Sequence, residues 1–325
     1  MTSRPRLTAE LGRYRAASPL LVGVGLIALG VLGFALVGLV VDPRRITGSP
    51  AWLKPAKFAI SSAIYCGTLA WLVASVSRPS RLLRAMGAFI GVMLALEVAI
   101  IAAQAARGTT SHFNRATPLD GALFAVMGLS VAALLVASAV FVFELCRASF
   151  PDRAWGWALR LGMLVSVLGA TTGGFMLRPT AHQQAQAKVM GTIPIVGGHT
   201  VGGLDGGPGL PGMNWSRDHG DLRIPHFFGL HAVQAIPILA WLAFRGMRPR
   251  SSRTRIALVA LISLSYSAWI VLLTAQAMAG RPLLSLDPLS LRAFGLWVIL
   301  TSAGFVTVMV RERSRTLSPS LAVGV

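Results

Sequence analysis

The chain has 325 residues, of which 54% are hydrophobic and only 13% are charged, and its mean hydropathy is +0.66. This composition exceeds what a soluble domain usually buries, so it excludes an ordinary soluble protein and predicts an integral membrane protein. The net charge of +19 could favour nucleic acid, but the basic residues lie between apolar runs and not in one patch with interleaved aromatic residues, so we expect no nucleic-acid partner.

The apolar runs predict an all-α fold, a polytopic membrane helix bundle of about eight transmembrane helices that forms a single membrane domain, 1–325. Each run has roughly 20 residues, the length that crosses about 30 Å of hydrocarbon. The first run is followed by VVDPRR without a small-residue cleavage pattern, so we expect it to be retained as a helix. The eight runs are placed at 19–41, 56–77, 84–106, 120–145, 155–177, 225–245, 255–279 and 290–310.

The distribution of basic residues predicts the orientation of these helices. Eighteen of the 30 basic residues fall on the side of the membrane that carries the N-terminus, against 12 on the other side. Because short cytoplasmic loops are enriched in Lys and Arg, we expect both termini and residues 246–254 to be cytoplasmic. The connection 178–224 is then extracytoplasmic.

Polar side chains enter the second and third helices from the predicted outer side. Lys57 begins the second helix in WLKPAKFAIS, with Lys54 just outside it. Glu97 and Gln104 of the third helix are seven residues apart and therefore nearly aligned. An ionisable side chain at the depth of Glu97 should face the bundle and have a partner, and Lys57 is the most economical one. The alternative is a purely structural ion pair.

The connection 178–224 is the only long loop of the predicted topology, and it is rich in glycine. It begins RPTAHQQAQAKVMG, which predicts a short surface helix, and its insert IPIV and Trp215 predict packing onto the bundle. A long loop with little regular structure is usually a lid, a binding element or disordered, and we predict an extracytoplasmic lid.

All histidines fall on the extracytoplasmic side of this topology, which favours a functional outer face over chance placement at a wet interface. If the sixth helix is continuous, the five residues from His226 to His231 place the second histidine about 7–8 Å deeper and roughly 140° around the axis. His231 with Gln234 is then expected to face the bundle, and His226 is expected to meet the lid, Asp221 or His112. The six histidines are His112, His182, His199, His219, His226 and His231.

Three classes of function fit these residues, and whether the protein is an enzyme stays open. In the first class, imidazole and carboxylate ligands bind a transition metal, and the enzyme acts on a lipid-like or small anionic substrate. The metal ligands would be His112, His226 and His231 with Asp221 or Asp120, which requires His112 to approach at least one of the other two histidines. The candidate substrate-binding residues are Lys54, Lys57, Glu97, Gln104, Arg107, Asn114 and Gln234.

In the second class, two of the histidines on facing segments are axial ligands of haem b, with Arg44, Arg45, Lys54 or Lys57 near its propionates. In the third class, the protein is a proton-coupled transporter or receptor, whose binding site at the outer leaflet uses Glu97, Lys57 and the histidines. The sequence shows neither the repeated halves nor the paired broken helices that are common in transporters.

Three stretches, WLKPAKFAIS, RGTTSHFN and GDLRIPHFFGLHAVQ, resemble those of a group of bacterial multi-pass integral membrane proteins of unassigned function. The resemblance covers most of the chain. It implies a location in the bacterial inner membrane, with the lipid bilayer as partner, and it supplies no catalytic residues.

Overall fold

A computed structural model describes residues 4–247, 249, 251–285 and 287–317 of the chain. The ends predicted to be cytoplasmic, 1–3 and 318–325, and residues 248 and 250 of the predicted cytoplasmic loop lie outside the described residues. The fold is mostly helical, at 74% of residues, which confirms the all-α class. The helices are α1 (Arg4–Ala17), α2 (Pro19–Val41), α3 (Leu53–Ser75), α4 (Arg81–Ala106), α5 (Pro118–Arg147), α6 (Arg153–Ala170), α7 (Ala181–Met190), α8 (Arg223–Leu230), α9 (Ala232–Met247), α10 (Ser252–Met278) and α11 (Pro288–Leu317).

The remaining regular structure is short. The fifth predicted run, 155–177, is α-helical only as far as Ala170, the last residue of α6. Its remainder, Thr171–Leu177, forms a 3₁₀ helix. Strands β1 (Arg45–Ile46) and β2 (Ser49–Pro50) form an antiparallel hairpin between α2 and α3, with Arg45 opposite Pro50. Two further short strands are β3 (Thr200–Val201) and β4 (Gly220–Asp221).

The described helices include seven that are long and apolar enough to cross a membrane, or eight if the bent pair α8 and α9 is one span. The protein is therefore a multi-pass membrane protein, as the composition predicts. The chain divides into two compact units, unit 1 (Met1–Ser149 with Gly173–His219) and unit 2 (Phe150–Thr172 with Gly220–Val325). The single membrane domain stays a prediction.

Unit 1 is built on the packing of α2 against α3 and of α4 against α5. Trp52 precedes α3 and lies over Gly38 of α2, where an added Cβ would come within 2.5 Å of the indole. The same indole donates from Nε1 to Asp42 Oδ2 at 2.8 Å. Hydrogen bonds from Arg44 and Trp52 hold the pKa of Asp42 well below its usual range. Glycine at position 38 thus lets the α2–α3 connection fold tightly onto both helices.

Helices α4 and α5 begin at side chains that cap their free N–H groups. Ser80 accepts from the amide of Leu83 at the start of α4, and Thr117 accepts from the amide of Asp120 at the start of α5. Pro118 occupies the first turn of α5, where its missing N–H costs no helical hydrogen bond. The local sequence T-P-L-D therefore determines where α5 begins.

Unit 2 contains α6, α8, α9, α10 and α11. Asp152 caps α6 by accepting from the amides of Ala154 and Trp155, and it also pairs with Arg255 of α10 at 2.7 Å. Although burial works in the opposite direction, these hydrogen bonds lower the pKa of Asp152. Helices α6 and α8 cross where Gly169 meets Gly229, so closely that a Cβ built on Gly169 would lie 2.3 Å from the Gly229 Cα.

The predicted sixth helix, 225–245, is not continuous. It consists of α8 and α9, which are bent by 58° at His231, the residue that ends α8. The carbonyl oxygens of Phe228 and Leu230 accept instead from Tyr266 Oη at 2.8 Å and Ser166 Oγ at 2.7 Å. In a membrane, a broken helix needs such donors because no water is present to satisfy the backbone.

Candidate functional site

The first part of the candidate site in unit 1 consists of Lys54, at the start of α3, and Ser111 and His112, in the turn after α4. Lys54 Nζ lies 3.1 Å from His112 Nδ1, and Ser111 Oγ lies 3.1 Å from the same nitrogen. An ammonium group can only donate, so His112 Nδ1 accepts and the ring proton is assigned to Nε2. The His112 ring packs beside Phe58, with centroids 5.7 Å apart. Lys54 and His112 therefore hold each other at one position, and their role in a site stays a prediction.

The long connection contacts the same region of unit 1. Lys57 Nζ donates to Met213 O at 2.9 Å, and Trp215 is buried. The IPIV insert pairs with the turn after α4, since the amide of Val196 donates to Phe113 O at 2.9 Å and the amide of Arg115 donates to Pro194 O at 2.7 Å. The predicted packing of this insert is confirmed, and so is the short helix, which is α7 with a Thr180–Gln183 capping box. The lid role stays a prediction.

A second histidine of unit 1, in the connection 178–224, pairs with a carboxylate of the same connection. His199 Nδ1 lies 3.0 Å from Asp205 Oδ2, and the amides of His199 and Thr200 donate to the same carboxylate. Burial works against the charged form, but the hydrogen bonds from His199 and Thr200 hold the pKa of Asp205 well below its usual range. The His199 ring also packs on Phe113 at 5.3 Å. The pair folds the connection at 199–205 and links it to the turn after α4.

Gln104 and Arg107, both predicted to bind substrate, bind Asp120 of α5, and their contact with a substrate stays a prediction. Gln104 Nε2 donates to Asp120 Oδ1 at 2.9 Å and Arg107 Nη1 donates to the same oxygen at 2.8 Å, while Thr117 Oγ1 donates to Oδ2 at 2.7 Å. Arg107 also donates to Gln104 Oε1. The network joins α4 to α5 at one end, and its groups are largely satisfied by one another.

Asn114, another candidate for substrate binding, is buried, and its side-chain amide forms hydrogen bonds within its own turn. Its amide nitrogen donates to Thr109 Oγ1 at 2.9 Å and to the Thr110 carbonyl, and its Oδ1 accepts from the amide of Ala116 at 3.0 Å. These contacts shape the turn between α4 and α5. Contact of Asn114 with a substrate stays a prediction.

Glu97 is the most unusual polar residue of unit 1. It is 4% exposed, and neither carboxyl oxygen has a hydrogen-bond partner among the described residues. The predicted burial is confirmed, but Lys57 as the preferred partner is wrong, because Lys57 donates to Met213 O and makes no hydrogen bond to Glu97. The groups near enough to influence the Glu97 carboxyl are the Ser130 hydroxyl of α5 and the Lys54 ammonium. Ser130 Oγ is itself buried and has no hydrogen-bond partner within the described ranges.

The remaining site candidates lie in unit 2. His231 is at the bend between α8 and α9, so the depth and angle expected from a continuous helix are wrong. Its Nδ1 lies 3.2 Å from Gln234 Oε1, a distance at which the imidazole N–H donates, and its ring packs on Phe227 at 4.4 Å. His226 Nδ1 lies 3.4 Å from Thr172 Oγ1. His231 is thus in contact with Gln234, and the prediction that the two residues face a site in the bundle stays a prediction.

The predicted metal ligands do not form a ligand set among the described residues. No group of three or more His, Cys, Asp or Glu side chains there could hold a metal ion. The Asp221 carboxylate is buried and forms a bidentate pair with Arg223, with contacts of 2.6 and 2.9 Å. Arg44, expected near haem propionates, donates to Asp42 at 2.7 Å and to Ala106 O at 3.0 Å. His112 lies in unit 1 and the other two histidines lie in unit 2, so their approach stays a prediction.

Sequence reasoning missed Ser130, Ser138 and Asp205. Ser130 and Ser138 are spaced eight residues apart on the buried face of α5 and have no hydrogen-bond partner in the part of the chain that the structure describes. The spacing of two small polar residues in an apolar run was an available signal. No sequence pattern marked Asp205. It meets His199 and Thr200 only because of the path that the glycine-rich loop takes, which periodicity does not predict.

Fold and site together define a multi-pass α-helical membrane protein. One of its units contains a histidine–lysine pair and a buried carboxyl group that has no hydrogen-bond partner in the described part of the chain. Comparison with known proteins does not assign the chain to a more specific class of membrane protein. No protein family matches the chain, and neither a curated protein nor a solved structure is similar to it at a significant level. The function is therefore argued from the residues alone.

Proposed function

We propose that the protein is a proton-coupled membrane carrier whose binding site opens at the outer end of unit 1. The observation that carries the proposal is Glu97, which is almost fully buried and has no hydrogen-bond partner for either carboxyl oxygen among the described residues. An intramembrane ionisable side chain is expensive to bury and marks a site by default. A purely structural carboxyl group would be satisfied in place, as Asp120 is by Gln104, Arg107 and Thr117.

The depth of Glu97 suits a group that exchanges a proton or an ion across part of the membrane. Nine residues separate Glu97 from Ala106 at the end of α4, which corresponds to about 13–14 Å at 1.5 Å per residue. This is close to half of the roughly 30 Å hydrocarbon core. A carboxyl group there, which forms no salt bridge with a described residue, can change protonation when a substrate binds or when the helices move.

The path from Glu97 to the aqueous side passes groups that handle protons. Lys54 acts on Glu97 electrostatically and donates to His112, which lies in the turn beyond α4. Imidazole and ammonium groups can relay protons between water and a buried acid. Lys57 and His199 fix the long connection over the same end of unit 1 through Met213 and Asp205. This arrangement supports an entrance that the connection 178–224 covers as a lid.

The orientation is part of the proposal. Both termini are cytoplasmic, the connection 178–224 is extracytoplasmic, and the membrane is a bacterial inner membrane. The excess of arginine on the N-terminal side supports the orientation. The substrate enters from the outside, where His112 and Lys54 meet the connection.

The first test asks whether Glu97 carries an exchangeable proton. Infrared spectra of the reconstituted protein are recorded during a pH titration, and the carboxylic-acid band that disappears in Glu97→Gln is assigned to this residue. Glu10→Gln serves as the matched control because Glu10 is an exposed carboxylate of the same unit. We expect the assigned band to change reversibly with pH. A band that stays constant from about pH 4 to pH 10 would show that Glu97 does not exchange protons.

The second test asks whether the proton moves with a solute. Proteoliposomes containing a pH indicator are given an imposed pH gradient, and small organic anions and cations are added outside one at a time. For a transported solute, we expect the wild type and Glu10→Gln to dissipate the gradient and Glu97→Gln to lose the coupling. A solute that moves protons equally well in Glu97→Gln would contradict the proposal.

The other functional classes make different demands on the same residues. A receptor would bind the solute and move no protons, so the gradient assay separates it from a carrier. A metal-dependent enzyme acting on a lipid-like or small anionic substrate needs a ligand set that the described residues do not assemble. Haem b needs two histidines on facing segments, and an absorption spectrum of the purified protein tests that alternative.

A further inference from the structure

A groove in unit 1 lies beside the first part of α5, and its lining does not include Glu97, Lys54 or His112. It has a volume of about 710 Å³, and its lining includes Arg115, Thr117, Phe124, Gly128 and Leu177. The glycines at positions 121 and 128 also line it, and a Cβ added at either would meet nothing within 4 Å. The groove is therefore open because the lining lacks side chains at these two positions of a membrane-spanning helix.

The dimensions of the groove match one leaflet of a bilayer. Eleven residues separate Thr117 from Gly128, which corresponds to about 16–17 Å along a helix axis. Half of a hydrocarbon core is about 15 Å thick. One acyl chain that starts at the helix N-terminus and ends near the membrane midplane would therefore fill the groove along its length.

The charge at the mouth of the groove favours an anionic headgroup. The Arg115 guanidinium lies 5.9 Å from the centroid of the Phe124 ring, and Arg115 precedes the first residue of α5, so its charge stands beside the apolar lining near the N-terminus of that helix. No carboxylate of the described residues forms a salt bridge with Arg115, whereas the nearby Arg107 is paired with Asp120. The backbone of Arg115 is fixed by its hydrogen bond to Pro194 O. A phosphate group would complete the hydrogen bonds of this guanidinium in bidentate geometry.

We propose that this groove is a binding site for one anionic phospholipid of the surrounding leaflet. One acyl chain lies along the glycine-lined face of α5, and the phosphate binds Arg115. The Thr117 hydroxyl donates its hydrogen bond to Asp120, so the polar contact with the lipid headgroup comes from the Arg115 guanidinium. The site is independent of the proposed proton chemistry, since it does not involve Glu97, Lys54 or His112.

The test is native mass spectrometry of the delipidated full-length protein, titrated with phosphatidylglycerol or with phosphatidylcholine of the same acyl chains. We expect the wild type to bind one phosphatidylglycerol about tenfold more tightly than phosphatidylcholine, the size of effect that one charge-assisted contact provides. Arg115→Gln should abolish this preference. Gly128→Leu, which fills the groove, should weaken binding of both lipids.

Two matched variants control for general effects. Arg78→Gln removes an exposed arginine between α3 and α4, and Gly33→Leu adds the same side chain at an exposed glycine of α2 that also has open space around it. Both should bind phosphatidylglycerol as the wild type does. Equal binding of the two lipids by the wild type would overturn the proposal, and so would losses in the controls that match those of the groove variants. Full competition by soluble glycerol phosphate would also overturn it, because it would show that the acyl chain contributes nothing.

Discussion

Lys54 is the residue that connects the surface of unit 1 with its buried acid. It donates to His112 at 3.1 Å and acts electrostatically on Glu97, whereas Lys57, three residues later, is turned to the carbonyl of Met213. Helical periodicity places both lysines near one another but does not say which ammonium reaches which acceptor. The outcome depends on the path of the long connection, which supplies the Met213 carbonyl 156 residues away.

The two buried serines of α5 allow a matched test of the surroundings of Glu97. Ser130 acts on the Glu97 carboxyl, and Ser138 lies eight residues further along the same buried face. We expect Ser130→Ala to shift the Glu97 infrared band, because it removes the hydroxyl dipole beside the acid, and Ser138→Ala to leave the band unchanged. Equal shifts in both variants would show that the band reports general packing and not a contact with Ser130.

At the scale of elements, the bend at His231 shows how one unit stabilises an interrupted helix. The apolar stretch around the bend looks continuous in the sequence, and Pro225 and Pro237 are its main irregularities. The groups that satisfy the bend, Ser166 and Tyr266, belong to α6 and α10 and are far away in the chain. Local periodicity therefore could not predict the break, although it predicted the apolar length correctly.

The crossing of α6 and α8 depends on two glycines in contact. A Cβ on Gly229 would lie 2.6 Å from the Gly169 Cα, which is backbone and cannot rotate away. We expect Gly229→Ala to destabilise the folded protein by about 1–3 kcal/mol or more, the range of overpacking in a tight core. The measurement is the thermal unfolding midpoint in detergent.

Gly246→Ala is the control for this substitution. Gly246 lies in α9 of the same unit, and a Cβ there meets nothing within 4 Å. Its replacement should be neutral or stabilise the helix by up to about 1 kcal/mol, as alanine does in exposed helical positions. If both variants unfold at the wild-type temperature, the helices do not pack at Gly229 as closely as the structure shows.

The 199–205 segment of the connection should lose its order in acid. The pKa of Asp205 in the folded protein is below the ordinary value of about 3.9. The ionised carboxylate therefore stabilises the folded segment above about pH 4, and this stabilisation is lost as the pH falls through the lowered pKa. Asp205→Asn imitates protonation at neutral pH. We expect the amides of His199 and Thr200 to exchange hydrogen about tenfold faster in this variant, since each loses a charge-assisted hydrogen bond.

Hydrogen exchange followed by mass spectrometry measures this effect directly. The amide of Gly191, which ends α7 by donating to Ala187 O, is an internal reference in the same connection. Its exchange should be unchanged in Asp205→Asn. Unchanged exchange at His199 and Thr200 would mean that the carboxylate does not order the segment.

At the scale of the whole molecule, composition and run length predicted the class of fold because the bilayer constrains every spanning segment in the same way. The length and apolarity of α2, α4, α5 and α10 follow from that constraint. Side-chain pairing is not constrained in this way. Asp120 was considered as a metal ligand but binds Gln104 and Arg107, because the turn between α4 and α5 brings these residues together.

We predict the orientation of the chain from the unequal distribution of arginine between its two sides. In a Cys146→Ser background, which removes the exposed native thiol, single cysteines are placed at Leu204 of the long connection and at Gly246 at the end of α9; both positions are exposed. A membrane-impermeant maleimide added to intact cells should label the first position, and it should label the second only after the membrane is permeabilised. Cys66 is buried and should stay unlabelled in both. The reverse pattern would place the connection in the cytoplasm, and the entrance at Lys54 and His112 would then face inward, because Lys57 binds Met213 of that same connection.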